Sequence, residues 1–422
     1  MKKILATDPM KFDQINLFIL TFLIYSSVYP ILSYTSKIYK ELFHVEAKSY
    51  AYTILLSLIQ IPSSFFVSRI ADKYRNHRFI ISILLSFFVF PFLIENLLQI
   101  KFPTAGMTWR IIISSSLSFI GFGGLNPILD CLVLNRLSNI GKLTNYGCIR
   151  VAGGLGKFTT NMIMSLPVIG NNKAGGIYLS MAFCLISIIY LFLVAPQYEI
   201  LNEKTAELKS DMINDMKKNS LKVNIQNLFT ISFIFLCIIS FLIGIQRMVF
   251  GHYLSVYLLK NNIKNTKISK YFAYHCLLEI IVSFLNSYLD RFFGLYLCLY
   301  GAAIFSLVRT YIYAFFSIKN SSFTVFIILL AETAKGIYTA IVGYSINRIV
   351  YHLAVERNKT LGQGIIYIFY GVLTELTAGI LGMIILTNSK EGGDLQKYFK
   401  ITAYIGSPLI LLPLILWKIN KK

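Results

Sequence analysis

The chain has 422 residues, of which 56% are hydrophobic and 15% aromatic, and its mean hydropathy is +0.64. Only 14% of the residues are charged, whereas soluble domains carry about 25%. This composition excludes a soluble globular protein and predicts an all-α integral membrane protein, because helices satisfy their own backbone hydrogen bonds in lipid. Lysine and arginine outnumber the acids and give a net charge of +21. The expected partners are the lipid bilayer and a small molecule, with no nucleic acid.

Twelve stretches of the chain meet or approach the roughly 20 mostly apolar residues that a helix needs to cross about 30 Å of hydrocarbon. The first stretch has no small-residue cleavage site beside it, so no cleaved signal peptide is expected. The sequence therefore predicts twelve transmembrane helices. In chain order, the predicted spans are Gln14–Ser36, Tyr50–Ser68, Phe79–Ile94, Ile111–Leu129, Tyr146–Val168, Ala174–Ala195, Asn227–Leu259, Tyr271–Leu289, Gly294–Ile318, Phe323–Ile346, Leu361–Leu386 and Ile401–Trp417.

A polar segment interrupts the apolar pattern between the sixth and seventh spans. It is predicted to be a cytoplasmic linker, residues 197–224, between two six-helix bundles of residues 1–196 and 225–422. The halves also share a turn, because Asp72–Lys73 follows span 2 and Asp290–Arg291 follows span 8, 218 residues later. Two parallel six-helix repeats are one transporter architecture, with the substrate site between them. The predicted fold class is therefore an all-α membrane bundle of two six-helix pseudo-repeats.

Lysine and arginine are more frequent in the predicted loops on the N-terminal side of the membrane than in those on the opposite side. This bias predicts that both termini are cytoplasmic, in a multi-pass protein of the plasma membrane, and a monomer is expected. The opposite face is also net positive and would concentrate anions near it. A general preference for lysine in an AT-rich coding sequence explains that excess equally well.

Ionisable side chains inside the predicted spans each cost at least about 2.5–3.5 kcal/mol, so each indicates a functional site or a buried pair. We predict that one set binds substrate and that a second set carries a coupled proton, since histidine titrates near physiological pH. The duplicated turn is predicted to gate the cytoplasmic side. The substrate-binding candidates are Asp130, Arg150, Lys157, Arg247, Arg309 and Lys335; the proton-coupling candidates are Glu279, Glu332, Glu375 and His275; the gating candidates are Asp72, Lys73, Arg78, Asp290 and Arg291.

The spacing of these charges leaves alternatives open. Arg150 and Lys157 are seven residues apart and therefore lie on one helix face, in a span whose glycines would let neighbouring helices approach closely. Asp130 and Arg150 either line the pathway or form a static pair between spans 4 and 5. Glu332 and Lys335 share a face at i, i+3 and either serve the pathway or neutralise each other.

Other polar residues support weaker predictions. His275 and Glu279 share a helix face at i, i+4, which places a titratable histidine beside a carboxylate. Glu95 lies near the outer end of span 3 and is expected to extend to the membrane interface. The sequence contains no metal-ligand cluster and no nucleophile elbow, so we expect neither a cofactor nor an enzymatic activity.

Twelve spans, a central polar loop and a duplicated acid–base turn resemble the major facilitator superfamily. The loop signature of that family, roughly G-x-x-x-D-R/K-x-G-x-R/K, is matched here by Asp72, Lys73 and Arg78. Ser68 and Arg75 stand where the signature has glycine. The resemblance covers almost the whole chain and implies two six-helix bundles that alternate access to a central site.

The stretch from span 4 to span 5 is similar to the lactose permease and nucleoside–proton symporter branch of that family. It contains Pro127-x-x-Asp130, then Tyr146-Gly147-x-x-Arg150 and a run of glycines. The resemblance implies that an acid on span 4 and an arginine on span 5 help to form the substrate and gating region.

The second half resembles the same branch less completely. Glu279 is similar to the branch's acid on span 8, and Arg309 to its arginine on span 9. Thr333 and Gly336 stand near the places where the branch has histidine and glutamate on span 10. This difference argues against the sugar–proton coupling scheme of the permease.

The candidate substrates differ in charge. Five bases deep in the spans suit a phosphorylated substrate, because arginine binds phosphate through a bidentate fork and lysine as a point charge. The composition, rich in Lys, Ile, Asn and Tyr, also looks like that of the surface purine-nucleotide carriers of microsporidian parasites. We therefore expect a secondary transporter that imports ATP or GTP. The closest alternative is a proton-coupled symporter of a neutral nucleoside or sugar; a membrane-embedded enzyme and a transporter-like receptor are alternatives from other classes.

Overall fold

In the part of the chain that the computed structural model describes, the backbone is helical apart from short turns and contains no strand. The fold is therefore all-α, as predicted. The described residues are 9–43, 54–64, 66–67, 77–101, 107–139, 146–194, 230–316, 322–353, 359–387 and 395–420.

The N-terminal half contains helices α1 to α6. Helix α2 is described at residues 54–64 and 66–67 and includes a 3-10 turn, Leu56–Ile59. A short helical turn, Pro167–Gly170, lies between α5 and α6. The long helices of this half are α1 Pro9–Glu41, α3 His77–Lys101, α4 Met107–Asn139, α5 Tyr146–Met164 and α6 Gly175–Val194.

The C-terminal half contains helices α7 to α12, and its last two helices are interrupted. A π-helical segment, Ile368–Val372, divides α11 into Lys359–Tyr367 and Leu373–Thr387. Helix α12 runs from Leu395 to Asn420 with a 3-10 turn in its middle. The uninterrupted helices are α7 Ile231–Lys260, α8 Asn265–Phe293, α9 Leu295–Phe315 and α10 Ser322–Leu353.

Within the described stretches, ten helices are long and apolar enough to cross a membrane. They coincide with ten of the twelve predicted spans. The fifth predicted span is α5, which is less apolar because it carries Arg150 and Lys157 among glycines. The second predicted span is described in part, as α2. Asp72 and Lys73 and the predicted linker of residues 197–224 lie outside the described residues.

The two halves meet along several helix pairs. Helix α5 packs along α8, α1 packs along α7, and α11 contacts both α2 and α4. We call the end of the bundle where α1 begins the inner end, and the end where α1 finishes the outer end. The Tyr34 hydroxyl donates to Ser269 Oγ at 2.7 Å at the outer end, and Asn347 Nδ2 donates to the Tyr146 hydroxyl at 3.0 Å at the inner end. Hydrogen bonds therefore join the halves at both ends.

Glycines allow α5 to approach its neighbours closely, as predicted. A Cβ atom on Gly154 would lie 2.9 Å from Ile280 Cγ1 of α8, and one on Gly147 would lie 3.6 Å from the Ser283 carbonyl oxygen. On the opposite side, a Cβ on Gly156 would lie 2.7 Å from a carbonyl oxygen of α1. Two of these distances are shorter than real Cβ contacts, so a larger residue would not fit at Gly154 or Gly156 without a shift of its neighbours. The neighbouring helices can therefore pack close to the backbone of α5, which carries Arg150 and Lys157.

Candidate substrate site

A cavity lies between the halves, and its lining joins α1, α4, α5 and α8. It brings together four of the residues that the sequence analysis selected, Asp130, Arg150, Lys157 and Glu279. The cavity is thus both charged and enclosed by helices of both halves. Its lining consists of Thr21, Tyr25, Leu129, Asp130, Val133, Tyr146, Ile149, Arg150, Gly153, Gly154, Lys157 and Glu279.

Asp130 and Arg150 are joined through a tyrosine that charge-based reasoning missed. The hydroxyl of Tyr146 donates to Asp130 Oδ1 at 3.3 Å, and Arg150 Nη1 lies 3.3 Å from the same hydroxyl. Arg150 Nη1 also donates to the backbone carbonyl of Gly343 in α10, at 3.4 Å. Because Asn347 of α10 bonds Tyr146 as well, this network ties the inner end of α5 to the C-terminal half.

Lys157 and Glu279 form a salt bridge between the halves. Lys157 Nζ lies 2.8 Å from Glu279 Oε1, with the side chains 16% and 9% exposed. The ammonium group also faces the rings of Tyr25 and Tyr29, at 5.5 and 5.8 Å from their centroids. Both residues were predicted site residues. His275, which was expected to lie beside Glu279, contacts the carboxylate of Glu332 instead.

Glu332 is the centre of a second buried group, within the C-terminal half. Its carboxylate accepts from Arg309 Nη2 and from the Tyr313 hydroxyl, both at 3.1 Å. His275 Nδ1 approaches Glu332 Oε2 to 2.7 Å, and Lys335 Nζ lies 3.9 Å away. The i, i+3 pair of Glu332 with Lys335 is therefore the weakest of these contacts, because tertiary packing supplies Glu332 with nearer donors.

Arg247 and Glu375 belong to a third group, between α2, α7 and α11. The Arg247 guanidinium stacks on the ring of Tyr370, 4.2 Å from its centroid. Glu375 Oε2 accepts from Gln60 Nε2 of α2 at 2.7 Å, and His252 Nε2 lies 3.5 Å from Glu375 Oε1. Gln60 and Tyr370 escaped the sequence analysis because neither side chain is charged.

Three of the gating candidates, Asp290, Arg291 and Arg78, lie within the described residues at the inner end. Asp290 forms an ion pair with Arg348 of α10 and accepts from the Tyr344 hydroxyl at 3.3 Å. Its neighbour Arg291 is exposed, and Arg78 is half-buried at the start of α3. The acid of the second turn therefore bonds to α10.

The expectation for Glu95 was wrong. This carboxylate is 1% exposed and lies 2.7 Å from Arg110 Nη2 at the start of α4. Arg110 also donates to Gln99 at 3.0 Å. A base on the next helix supplies the partner, so the acid stays inside the bundle.

A bundle of membrane-crossing helices with a charged cavity between two halves defines a membrane transporter. Nothing in the described ranges groups three His, Cys, Asp or Glu side chains around a metal position. The family model named MFS_1 like family matches residues 14–391, and the chain belongs to this family. Its fold is therefore that of the major facilitator superfamily.

Solved structures with this fold include several carriers. The nucleoside transporter NupG is 14% identical, with a TM-score of 0.69 over 96% of this chain and 99% of NupG. A D-xylose-proton symporter is 13% identical, with a TM-score of 0.68 over 96% of this chain and 97% of the symporter. A peptide transporter POT mutant in complex with sulfate is 13% identical, with a TM-score of 0.68 over 97% and 94%.

The comparison with curated protein sequences produced no match. Identities this low show a shared fold and leave the substrate undefined. The family and the helices together make this chain a multi-pass membrane transporter.

Proposed function

We propose that this chain imports purine nucleotides such as ATP and GTP across the plasma membrane by alternating access, with both termini in the cytoplasm. It acts as a monomer of two six-helix units, residues 1–196 and 225–422, joined by a linker of residues 197–224. The similarity of its composition to that of microsporidian surface nucleotide carriers supports a role in a parasite that takes nucleotides from its host.

This proposal is supported mainly by two arginines, one in each half, that have no carboxylate partner among the described residues. Among the described residues, neither Arg150 nor Arg247 lies within salt-bridge distance of a carboxylate. Arg150 donates to a hydroxyl and a backbone carbonyl, and Arg247 stacks on a ring and points to a methionine sulfur. A guanidinium without a carboxylate keeps donors for a ligand, and phosphate oxygens accept such donors bidentately.

Alternating access gives the cross-half contacts a role in the cycle. The Tyr34–Ser269 bond closes the outer end, and the Tyr146–Asn347 bond closes the inner end. A nucleotide enters when the halves separate at the outer end, and its phosphates then bind Arg150, Lys157 and Arg247. Separation at the inner end breaks the contacts of Tyr146 and releases the nucleotide.

The test is uptake of ATP labelled at two positions, the adenine ring and the α-phosphate, by cells that express the chain. Equal accumulation of the two labels is expected, because the intact nucleotide crosses the membrane. Accumulation of the ring label alone would mean that nucleosides enter after hydrolysis outside, and the proposal would then be abandoned.

Variants link uptake to the two arginines. Arg150→Ala and Arg247→Ala are each expected to lower ATP uptake at least tenfold, because each removes a bidentate phosphate donor. Lys418→Ala is the matched control, since Lys418 is an exposed base near the end of α12. Equal uptake by all three variants at equal surface expression would remove the arginines from the substrate site.

The second candidate function is proton-coupled symport of a neutral nucleoside or sugar. Glu375 favours it, because its near contacts are the neutral amide of Gln60 and the imidazole of His252. Such a carboxylate can take up a proton without breaking a salt bridge to lysine or arginine. This function predicts uptake that follows an imposed pH gradient, is lost in Glu375→Gln, and is competed by nucleosides or hexoses.

A further inference from the structure

Phosphate binding does not explain why α11 contains a π-helical segment. It comprises Ile368–Val372, between two α-helical stretches. π-turns inside α-helices are rare and frequently lie at functional sites. Gly244 of α7 packs directly against this segment, since a Cβ there would lie 2.5 Å from the Tyr370 carbonyl oxygen. Helix α7 can therefore approach the π-helical segment closely.

Two half-buried tyrosines of α11 lie in or beside this segment. Tyr370 faces the guanidinium of Arg247, which lies one turn beyond Gly244 on α7. Tyr367 is the last residue before the segment and lies near Asn126 of α4. This stretch of α11 therefore contacts α7 of its own half and α4 of the other half.

Glu375 follows on the same helix and is bonded across the halves. Its Oε2 accepts from Gln60 Nε2 of α2 at 2.7 Å, and its residue is 5% exposed. When the halves separate, α2 moves away from α11, and the carboxylate loses this donor. The imidazole of His252 stays 3.5 Å from Oε1, but Oε2 loses its partner. A buried carboxylate oxygen without a donor is costly, so a ligand that offers N–H groups replaces Gln60 favourably.

We infer that Tyr370 and Glu375, beside Arg247, form a subsite for a purine base, with guanine preferred over adenine. The inference rests on the proposed nucleotide transport and names the part of the substrate that this group recognises. A purine ring would stack on the face of Tyr370 opposite the guanidinium of Arg247, as bases do on aromatic side chains elsewhere. Guanine presents two adjacent N–H donors, N1–H and N2–H, that match the two oxygens of Glu375. Adenine presents one amine beside an acceptor nitrogen, which repels a carboxylate.

The experiment measures how well GTP, ATP and inorganic triphosphate inhibit uptake of labelled GTP by cells that express the full chain. Tyr370→Leu is expected to weaken inhibition by both nucleotides about tenfold, because the stack is lost. Glu375→Gln is expected to weaken inhibition by GTP about tenfold and to leave that by ATP within about twofold. Inhibition by triphosphate should stay unchanged in both variants, since triphosphate has no base.

Tyr404→Leu is the matched control, because Tyr404 of α12 is 62% exposed. Surface expression of each variant is measured beside uptake. The inference is overturned if both variants keep the GTP and ATP inhibition of the unmodified chain, or if triphosphate inhibition falls as much as nucleotide inhibition. If Tyr370→Leu does not reach the surface, Glu375→Gln alone decides, through the ratio of GTP to ATP inhibition.

Failure of the proposed function gives a different result. If the chain takes up guanosine or adenosine but neither nucleotides nor triphosphate compete, nucleotide transport is wrong. The same variants then test the subsite with guanosine against adenosine. A guanosine preference that Glu375→Gln abolishes supports the base subsite, and a ratio that it leaves unchanged overturns it.

Discussion

The salt bridge of Lys157 with Glu279 and the group around Glu332 contain similar residues in different positions. Lys157 belongs to α5 and Glu279 to α8, so their 2.8 Å contact joins the two halves at the cavity. Glu332 and Arg309 both belong to the C-terminal half, and their side chains are 0% and 2% exposed. The first pair lines the cavity, whereas the side chains of the second pair are almost fully buried.

This difference indicates two tasks for charge inside one membrane protein. A pair that bridges the halves has to break whenever they separate, so its strength enters the energy of the transport cycle. A pair within one half remains intact through the cycle and contributes to the stability of that half.

The largest effect is expected from Glu332→Ala. It leaves Arg309 and His275 buried without their carboxylate, and removing one partner of a buried pair costs about 3–5 kcal/mol. The purified protein should therefore unfold at a clearly lower temperature in detergent. Glu279→Ala is the control and should cost less, because Lys157 keeps contact with the cavity and with the ring of Tyr25. Equal shifts of the unfolding temperature in the two variants would contradict a difference between the pair at the cavity and the pair within one half.

Next in size is the effect of Lys157→Gln on transport. The variant loses the bridge between α5 and α8, and uptake should fall about tenfold, which corresponds to about 1.4 kcal/mol, while the unfolding temperature changes little. The reversed pair, Lys157→Glu with Glu279→Lys, should recover part of the activity. Lys157→Gln with the activity of the unmodified chain would show that this bridge has no part in the cycle.

Tyr146→Phe should have a smaller effect. The hydroxyl links Asp130, Arg150 and Asn347 at the inner end. Because its contacts with the two charged groups are long, at 3.3 Å, we expect a loss no larger than that of one typical hydrogen bond, about 0.5–1.5 kcal/mol. Because Arg150 keeps its bond to Gly343, we expect uptake to fall severalfold. Asn347→Ala added to Tyr146→Phe should cause little further loss, since both changes break one contact. Fully additive losses would contradict a shared network.

The smallest effect is expected from Asp290→Asn. The side chains of Asp290 and its partner Arg348 are 18% and 34% exposed, and exposed ion pairs contribute about 1 kcal/mol or less. The unfolding temperature should therefore shift by only a few degrees. A shift as large as that of Glu332→Ala would show that this inner-end pair is effectively buried.

Residue pattern alone was sufficient to predict ten of the spans and to select four charged residues that lie at one cavity. Apolar runs of the right length define helices because lipid leaves the backbone no other partner. Arg150 and Lys157 lie on one face of α5 because helix geometry fixes that spacing. The cavity therefore contains two of the predicted bases and two of the predicted acids.

The sequence could not predict which charged side chains pair, because pairing depends on how helices that are distant in sequence pack together. Lys157 and Glu279 are 122 residues apart in sequence, and no local pattern links them. Glu332 prefers Arg309 to its neighbour Lys335, since α9 brings a donor closer than the next helical turn does. Tyr146 and Gln60 were not predicted, because their side chains are neutral and the site residues were selected by charge.

The glycines of α5 affect the rate at which the halves can move. Gly147 and Gly154 face α8, so backbone rather than side chain meets Ser283 and Ile280 there. Helices that meet without interlocked side chains can shift past each other without any rotamer change. We therefore expect these two contacts to add little to the energy barrier between the closed and open states. The turnover of this carrier depends in part on side chains that α5 does not have.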